Sequence, residues 1–342
     1  MKRLWIAPAL AALCALLLAG CQQNTETLHH YDDPVITSLS IPRAGISYAG
    51  NKLPVTIVGK NFKAPGISAA DFSGTGVSNF KVISDAKATA EVSCPSAAGE
   101  YSVTVHCKNA SKMGTFTVKD YSLWTPGKIV LADKTLSDKD GFTLHTANPP
   151  IAVVCGKNVY DAAIGVALHK SPPRLVWAKG RTVGYNTKFE GIVCTPSEWG
   201  IGAAWTAAFT GDTDGSDNWD YICSVDPEGT ADAAVNYPAF DWVNNYNTTY
   251  EAWLGSARPS WYMPSIAELC QVYKNKKAIN ASLSEIWAHN PAYADSELRK
   301  YWYWSSSNSS NISANYVSFS NGKISGNHKD DGNAYVCCIA CF

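Results

Sequence analysis

The sequence predicts two folded units in series, a small all-β sandwich followed by a larger α+β domain. Three observations carry that expectation. Between residues 34 and 119, short apolar runs recur at turn-separated intervals of about ten residues, the spacing of a small sandwich. Beyond residue 127, strand-like runs surround one strong helix signal. The chain then closes on a polar tract that nevertheless keeps strand period.

The N terminus comes first. Lys2 and Arg3 precede an apolar run over residues 4–19, and Leu18-Ala19-Gly20-Cys21 follows. That order predicts a secretory signal peptide over 1–20, too short for a stable membrane span. The tetrapeptide resembles the bacterial lipobox, which implies that Cys21 is diacylated and becomes the first residue of the mature chain. Each buried methylene contributes about 0.8 kcal/mol, and two acyl chains suffice for stable anchoring. Residues 21–33 read as a lipidated tether, with the outer membrane and cell surface as the expected location. Without Lys2 and Arg3 the charge balance goes from 28−29 to 26−29. No block of like charges exists, which argues against nucleic acid as a partner.

In the first unit, Val35-Ile36, then Leu53, Val55 and Ile57, then Phe80 and Val82, then Ala90 and Val92, then Tyr101, Val103 and Val105 read as strands. Thr115-Phe116-Thr117-Val118 closes it. Cys94 and Cys107 are expected to flank a hairpin turning at 95–100. That register leaves them roughly 20 Å apart along the ladder, so a cross-strand disulfide is not expected. Gly59-Lys60-Asn61-Phe62 resembles the G-x-N-F turn of the bacterial IPT/TIG immunoglobulin-like family, and Pro34 and residues 99–105 fit the same pattern. The resemblance implies an immunoglobulin-like sandwich over 34–120 that acts as a spacer.

Residues 121–127 read as a junction. Beyond it, residues 128–131 and 151–155 are expected strands, and 164–168 is expected to pair with 175–178 as a hairpin. Trp261-Tyr262-Met263-Pro264-Ser265 announces a helix in which Ser265 and Glu268 have capping-box spacing. Ile266, Leu269, Cys270 and Tyr273 form its apolar stripe. A second short helix is expected after Asn280, burying Leu283, Ile286 and Trp287. From Ser305 to Asn333, 15 of 29 residues are Ser or Asn, a bias that would read as disorder if strand period were absent. Val317 and Phe319, however, alternate with Tyr316, Ser318 and Ser320, and Asn321-Gly322 supplies a two-residue hairpin signal. Ten of the twelve Trp lie at or beyond Trp177, which suits an irregular, loop-rich core in the second unit.

The order W-Y-x-P-S-x-x-E-L, then Y-W-S-S-S, F-S-N-G and a terminal Y-V-x-x-x-x-x-F is similar to the C-terminal domain of bacterial collagen-like adhesins. Relatives of that domain occur in spirochaete and gut-anaerobe lipoproteins. The resemblance implies a C-type-lectin-like fold of the formylglycine-generating-enzyme subtype over 127–342. Some members are variable proteins of diversity-generating retroelements, whose last segment is rewritten to change binding specificity. Carried over residue by residue, the displayed ligand-binding positions are Asn308, Asn311, Asn315, Tyr316, Ser318, Ser325, Asn327, His328, Asp330 and Asp331. Val317, Phe319 and Val336 match scaffold positions. Relatives often carry Arg near the end, where this chain has Cys337, Cys338 and Cys341.

Asp212, Asp214 and Asp217 resemble the opening of a calcium loop, since closely spaced carboxylates suit a hard cation. Cys223 stands where such a loop expects Glu, so a solvated acidic turn competes with calcium as the reading, and no other cofactor is expected. The histidines show no metal spacing. Most mature cysteines are expected as small buried hydrophobes, with Cys337 and Cys338 pointing to opposite strand faces. Formylglycine generation would need two cooperating thiols at a groove, and kinship of fold does not confer activity. An enzyme is therefore not expected. The expected function is a lipid-anchored adhesin or variable receptor that binds a protein or glycan on a host or neighbouring cell through its C-terminal hairpin. The competing expectation is a structural surface-layer lipoprotein.

Overall fold

The computed structural model describes residues 32–41, 46–48, 50–68, 71–74, 76–107, 110–173 and 175–342. The expected signal segment, Cys21 and the expected tether through residue 31 lie outside the described residues. None of the described helices is long and apolar enough to cross a membrane.

The first unit contains β1 (Val35–Ser40), β2 (Ile46–Tyr48), β3 (Lys52–Lys60), β4 (Phe72–Gly74), β5 (Val77–Ser84), β6 (Lys87–Ser93), β7 (Gly99–Cys107) and β8 (Ala110–Lys119). They form two four-stranded sheets, in the orders β1-β3-β6-β5 and β2-β8-β7-β4. Period-two burial along β3 sends Leu53, Val55 and Ile57 into the core, where they meet Val103, Val105, Phe116 and Val118 of the other sheet. The turn after β3 has a steric cause. A Cβ on Gly59 would sit 1.9 Å from the Val35 carbonyl oxygen, Asn61 adopts a left-handed φ of 62°, and Phe62 is buried. β6 and β7 belong to different sheets, so residues 95–98 cross between sheets and the hairpin expected there does not form. β7 instead pairs with β8, from Gly99 opposite Val118 to Cys107 opposite Ala110. Cys94 and Cys107 are free thiols.

The second unit opens with β9 (Ile129–Leu131), β10 (Leu136–Ser137), β11 (Pro150–Lys157) and β12 (Ala163–Ala167). With the terminal strand β19 (Ile339–Cys341) they make a sheet ordered β10-β9-β11-β12-β19. Seven of the eight residues of β11 are buried because both faces are covered. Val153 and Cys155 point into one core cluster, Ala152 and Val154 into another. β12 is flanked by β11 and β19, which leaves no edge for residues 175–178. That segment is not a strand; Trp177 is buried and donates its indole N–H to the Ser305 carbonyl at 3.0 Å.

β13 (Cys194–Pro196) and β14 (Phe209–Gly211) form a small ladder. Helix α1 (Asn218–Val225) and helix α2 (Pro238–Asn244) follow, and then α3 (Ile266–His289) runs unbroken for 24 residues. Its capping box is made as expected, with the Ser265 hydroxyl accepting from Glu268 N–H and the Glu268 carboxylate accepting from Ser265 N–H. No second helix begins after Asn280. The Asn280 amide instead bonds both Leu298 N–H and Leu298 C=O, so it ties α3 to the following loop rather than capping. Leu283 and Ile286 are buried as expected, whereas Trp287 is 45% exposed.

The last sheet holds β15 (Trp302–Asn308), β16 (Ser313–Ser318), β17 (Lys323–His328) and β18 (Ala334–Tyr335), in the order β17-β16-β15-β18. β16 and β17 form the expected hairpin, but through four residues, 319–322, between Ser318 and Lys323 rather than two. Gly322 there has φ +68°, and a Cβ on it would meet the Tyr273 ring at 2.8 Å. Cys337 and Cys338 point into different core clusters, as alternation requires.

Candidate functional site

β16 is the strand on which the expected display face rests, and it is covered on both sides. Val317 and Phe319 enter one core cluster, while Ala314 and Tyr316 enter the other. Tyr316 stacks on Trp302 at 4.8 Å and meets the Trp304 ring edge-on. Ser318 is 2% exposed and Asn315 fully buried, with its amide donating to the Cys194 carbonyl at 3.1 Å. Asn308, at the end of β15, is also fully buried. These four residues, Asn308, Asn315, Tyr316 and Ser318, are corrected from displayed to structural. The alternation in the sequence is real, but the partner of each face is a protein core rather than water on one side.

The serine run before them is structural for the same reason. Ser305 donates to the Asn315 carbonyl, Ser306 accepts from the Asn218 amide at 2.7 Å, and Ser307 accepts from the first N–H of α3 at 2.9 Å. These bonds satisfy polar groups that have no access to water.

The remaining six positions reach the surface. Asn311, His328 and Asp330 are exposed, and Ser325, Asn327 and Asp331 half-buried. Their geometry is fixed locally. The Asn327 amide donates to Asp331 at 2.5 Å, the His328 ring nitrogen meets the Tyr185 hydroxyl at 3.2 Å, and Asp331 accepts from Asn333 N–H at 2.8 Å. Asp330 leans over Gly180, where a Cβ would come within 2.6 Å of its carboxylate.

One buried lysine organises this rim. Lys329 is fully buried, and its ammonium donates to the carbonyls of Gly184 at 3.0 Å, Thr187 at 2.7 Å and Asn311 at 2.8 Å. It also lies 4.8 Å from the Trp177 ring centroid and 4.9 Å from that of Phe189. Burial pushes its pKa down to about 7, while the carbonyls and ring faces favour the charged form. The side chain fastens three segments, 184–187, 311 and 328–330, into one surface.

The other end of β17 carries an aromatic feature that the sequence reading did not single out. Gly200 bridges Ile324 through two hydrogen bonds of 3.0 and 3.1 Å, and Ala204 N–H donates to the Gly322 carbonyl at 2.9 Å. The connection between β13 and β14 is thereby laid along the hairpin tip. Trp199, Ile201 and Trp205 on it are 49%, 77% and 53% exposed, a cluster of large apolar side chains presented to solvent. The signal was available in Trp199-Gly200-Ile201-Gly202, where both glycines take positive φ, 99° and 82°. Two glycines around a bulky residue mark a loop built to turn its side chains outward.

The acidic turn does not assemble a cation site. Asp212 accepts from Asp214 N–H at 3.1 Å, Asp214 from Ser216 N–H at 3.0 Å, and Asp217 is exposed. Among the described residues no three His, Cys, Asp or Glu side chains are placed to hold a metal ion, so Asp212, Asp214 and Asp217 are not brought together as the ligand set considered for calcium. Burial, then the neighbouring Asp217 and Asp214 charges, raise the Asp212 pKa to about 7 against the bond from Asp214 N–H. Burial and Asp214 likewise push the Glu268 carboxyl up, although it accepts from Ser265 N–H, Gly215 N–H and the Tyr262 hydroxyl. Burial also raises the Cys270 and Cys337 thiols to about 12, which leaves them inert at neutral pH.

No family model matches the chain, and no curated protein matches it significantly. Among solved structures, a fimbrial protein from Bacteroides ovatus is 13% identical, with a TM-score of 0.42 covering 89% of this chain and 71% of that one. An auxiliary nutrient binding protein from the same organism is 14% identical, with a TM-score of 0.15 covering 41% and 44%. The Yersinia pseudotuberculosis adhesin InvE is 13% identical, with a TM-score of 0.19 covering 90% and 98%. Scores at this level do not define a shared fold.

Proposed function

We propose that the chain is a bacterial surface binding protein, held in the membrane through lipid on Cys21. An immunoglobulin-like spacer of the IPT/TIG kind over 34–120 carries a lectin-type head over 127–342. The head recognises a protein or glycan on a host or neighbouring cell. The observation that carries this reading is the arrangement along β17, an edge strand held on a frame buried on both faces. Trp199, Ile201 and Trp205 stand exposed at one end, and Asn311, His328 and Asp330 at the other. Rigid aromatic groups give contact area at low entropy cost, and short polar side chains beside them give adaptable hydrogen bonding. The binding surface is therefore the outer edge of β17 and not the whole of the Ser/Asn tract.

The test uses the purified chain on a glycan array and on fixed host epithelial cells. Trp205→Ala together with His328→Ala should abolish any binding of the parent, with the melting temperature within a few degrees of the parent's. Binding that survives both substitutions would remove the edge of β17 from the recognition surface. A parent that binds neither array nor cells would favour the structural surface-layer reading.

A further inference from the structure

A groove of about 440 Å³ is formed by the start of α1, the end of α2 and the segment 258–261. It shares no residue with the edge of β17. Its volume falls within the range of small-ligand sites. Trp219 and Asp220 line it from α1, Asn244 from α2 and Asn247 from the residues just after, while Arg258 and Ser260 line it from the third segment.

The ring in this groove is held from behind. Phe240 stacks on Trp219 at 5.1 Å and an interplanar angle of 22°, and Tyr237 meets it edge-on at 5.6 Å. Packing thus fixes the indole and takes one of its faces, yet the side chain remains only half-buried and lines the groove with what is left. The polar wall is set as firmly. The Asn247 amide donates to the Pro259 carbonyl at 2.9 Å, and its oxygen accepts from the Trp261 indole at 3.0 Å. That carbonyl also accepts from Trp261 N–H at 3.0 Å. Arg258 donates to the Gly255 and Ala257 carbonyls at 3.0 and 2.8 Å and pairs with Glu251 at 2.8 Å. A guanidinium carries more N–H donors than these bonds use, and the Asn247 amide keeps a second N–H. Asn244 and Ser260 are exposed.

Two properties narrow the ligand. The charged residues that line the groove, Arg258 and Asp220, have opposite signs, and Arg258 is paired with Glu251 besides. An ionic guest would find no net counter-charge, so the volume favours a neutral one. The polar groups are amide, carboxylate, guanidinium and hydroxyl, most of them planar forks able to bond two adjacent hydroxyls, and they stand beside an indole. A pyranose whose ring hydroxyls are all equatorial matches both features. Its hydroxyls radiate around the rim, while its two faces carry only C–H, which packs on an aromatic face. An extended peptide matches less well, because its main chain calls for a strand edge and this lining is made of side chains.

We propose that this groove binds a neutral gluco-configured pyranose unit, its C–H face on Trp219 and its hydroxyls bonded by Asn244, Asn247, Arg258 and Ser260. Saturation-transfer NMR on the full chain tests it, with methyl β-glucoside as the probe and methyl β-glucuronide and acetyl-triglycine amide as separate comparisons. The glucoside should bind with a Kd on the order of 1–10 mM, the glucuronide about fivefold more weakly or worse, and the peptide not at all. Complexes this weak dissociate on a millisecond timescale and do not survive an array wash, so this site is read independently of the edge of β17. Trp219→Ala should weaken the glucoside about tenfold or more, and Trp219→Phe should keep most of the affinity. Because Trp219 also packs on Phe240, a second variant is needed: Asn244→Ala, at an exposed position, should weaken the glucoside about threefold with an unchanged melting temperature. Trp287→Ala, an exposed ring outside the groove, should change nothing. Absence of glucoside binding, or binding that Trp219→Ala and Asn244→Ala leave intact, overturns the proposal. Glucuronide bound as tightly as glucoside overturns the neutral assignment, and peptide bound as tightly overturns the sugar.

Discussion

At the residue scale, burial decides what each polar side chain does. Asp212 is read from the sequence as part of a solvated acidic turn or as a calcium ligand, yet its second carboxylate oxygen is buried and finds no hydrogen-bond partner among the described residues. Its pKa of about 7 therefore exceeds the unfolded value of about 3.9. The folded state holds this proton more tightly than the unfolded state does. The resulting stabilisation is complete below about pH 4 and is lost as pH rises through about 7. Asp212→Asn should raise stability at pH 8 by about 1–2 kcal/mol and flatten the fall in stability between pH 4 and 7, measured by urea unfolding across that range. The slope should persist in part, because the Glu268 carboxyl is raised in the same direction. An unchanged slope in the variant would show that Asp212 is ionised and hydrated in the fold.

At the element scale, the terminal hairpin separates frame from surface differently from what alternation alone implies. Strand period in residues 316–320 assigns one face to the core and one to water, which is the rule for a half-buried antiparallel strand. β16 is an inner strand, and the second core cluster covers the face that holds Tyr316. Tyr316→Ala should therefore cost about 3 kcal/mol or more, comparable with other buried aromatic truncations. His328→Ala and Asn311→Ala, on the exposed rim, should each stay within about 0.5 kcal/mol. Denaturant midpoints rank the three. If Tyr316→Ala proves as mild as His328→Ala, the face that holds it is open to solvent. Helix α3 shows the converse case, since its capping box and first apolar stripe were fully legible from Ser265 to Tyr273. Its far half was not, because Asn280 resembles a helix start until its tertiary partner at Leu298 is known.

At the scale of the whole molecule, the two units keep separate interiors. Among the described residues, the core of the first unit takes one partly buried residue, Tyr160, from beyond residue 119, and the two main clusters of the second unit take none from before Trp124. The connections between units include a hydrogen bond from Ser47 to the Tyr160 carbonyl at 3.3 Å. Residues 121–342 expressed alone should therefore fold cooperatively and melt within a few degrees of the same unit in the full chain, as calorimetry would show. Loss of cooperative melting in the shortened chain would mean that the first unit completes the second and is not a spacer.

What the sequence by itself determined is whatever local chemistry enforces. The strand-dense first unit, the G-x-N-F turn with its close backbone approach at Gly59, the capped start of α3 and the opposed cysteines 337 and 338 all follow from near neighbours in the chain. Only the tertiary structure decided what lies against each face. It buried Asn308, Asn315, Tyr316 and Ser318, moved residues 95–98 from a hairpin to a crossing between sheets, and brought Trp199 and Trp205 beside the hairpin tip. It also drew Lys329 inward onto three carbonyls. The physical reason is that period records a difference between two faces. Whether the more polar face meets water, a second core or a partner depends on segments more than a hundred residues away, and no local pattern contains them.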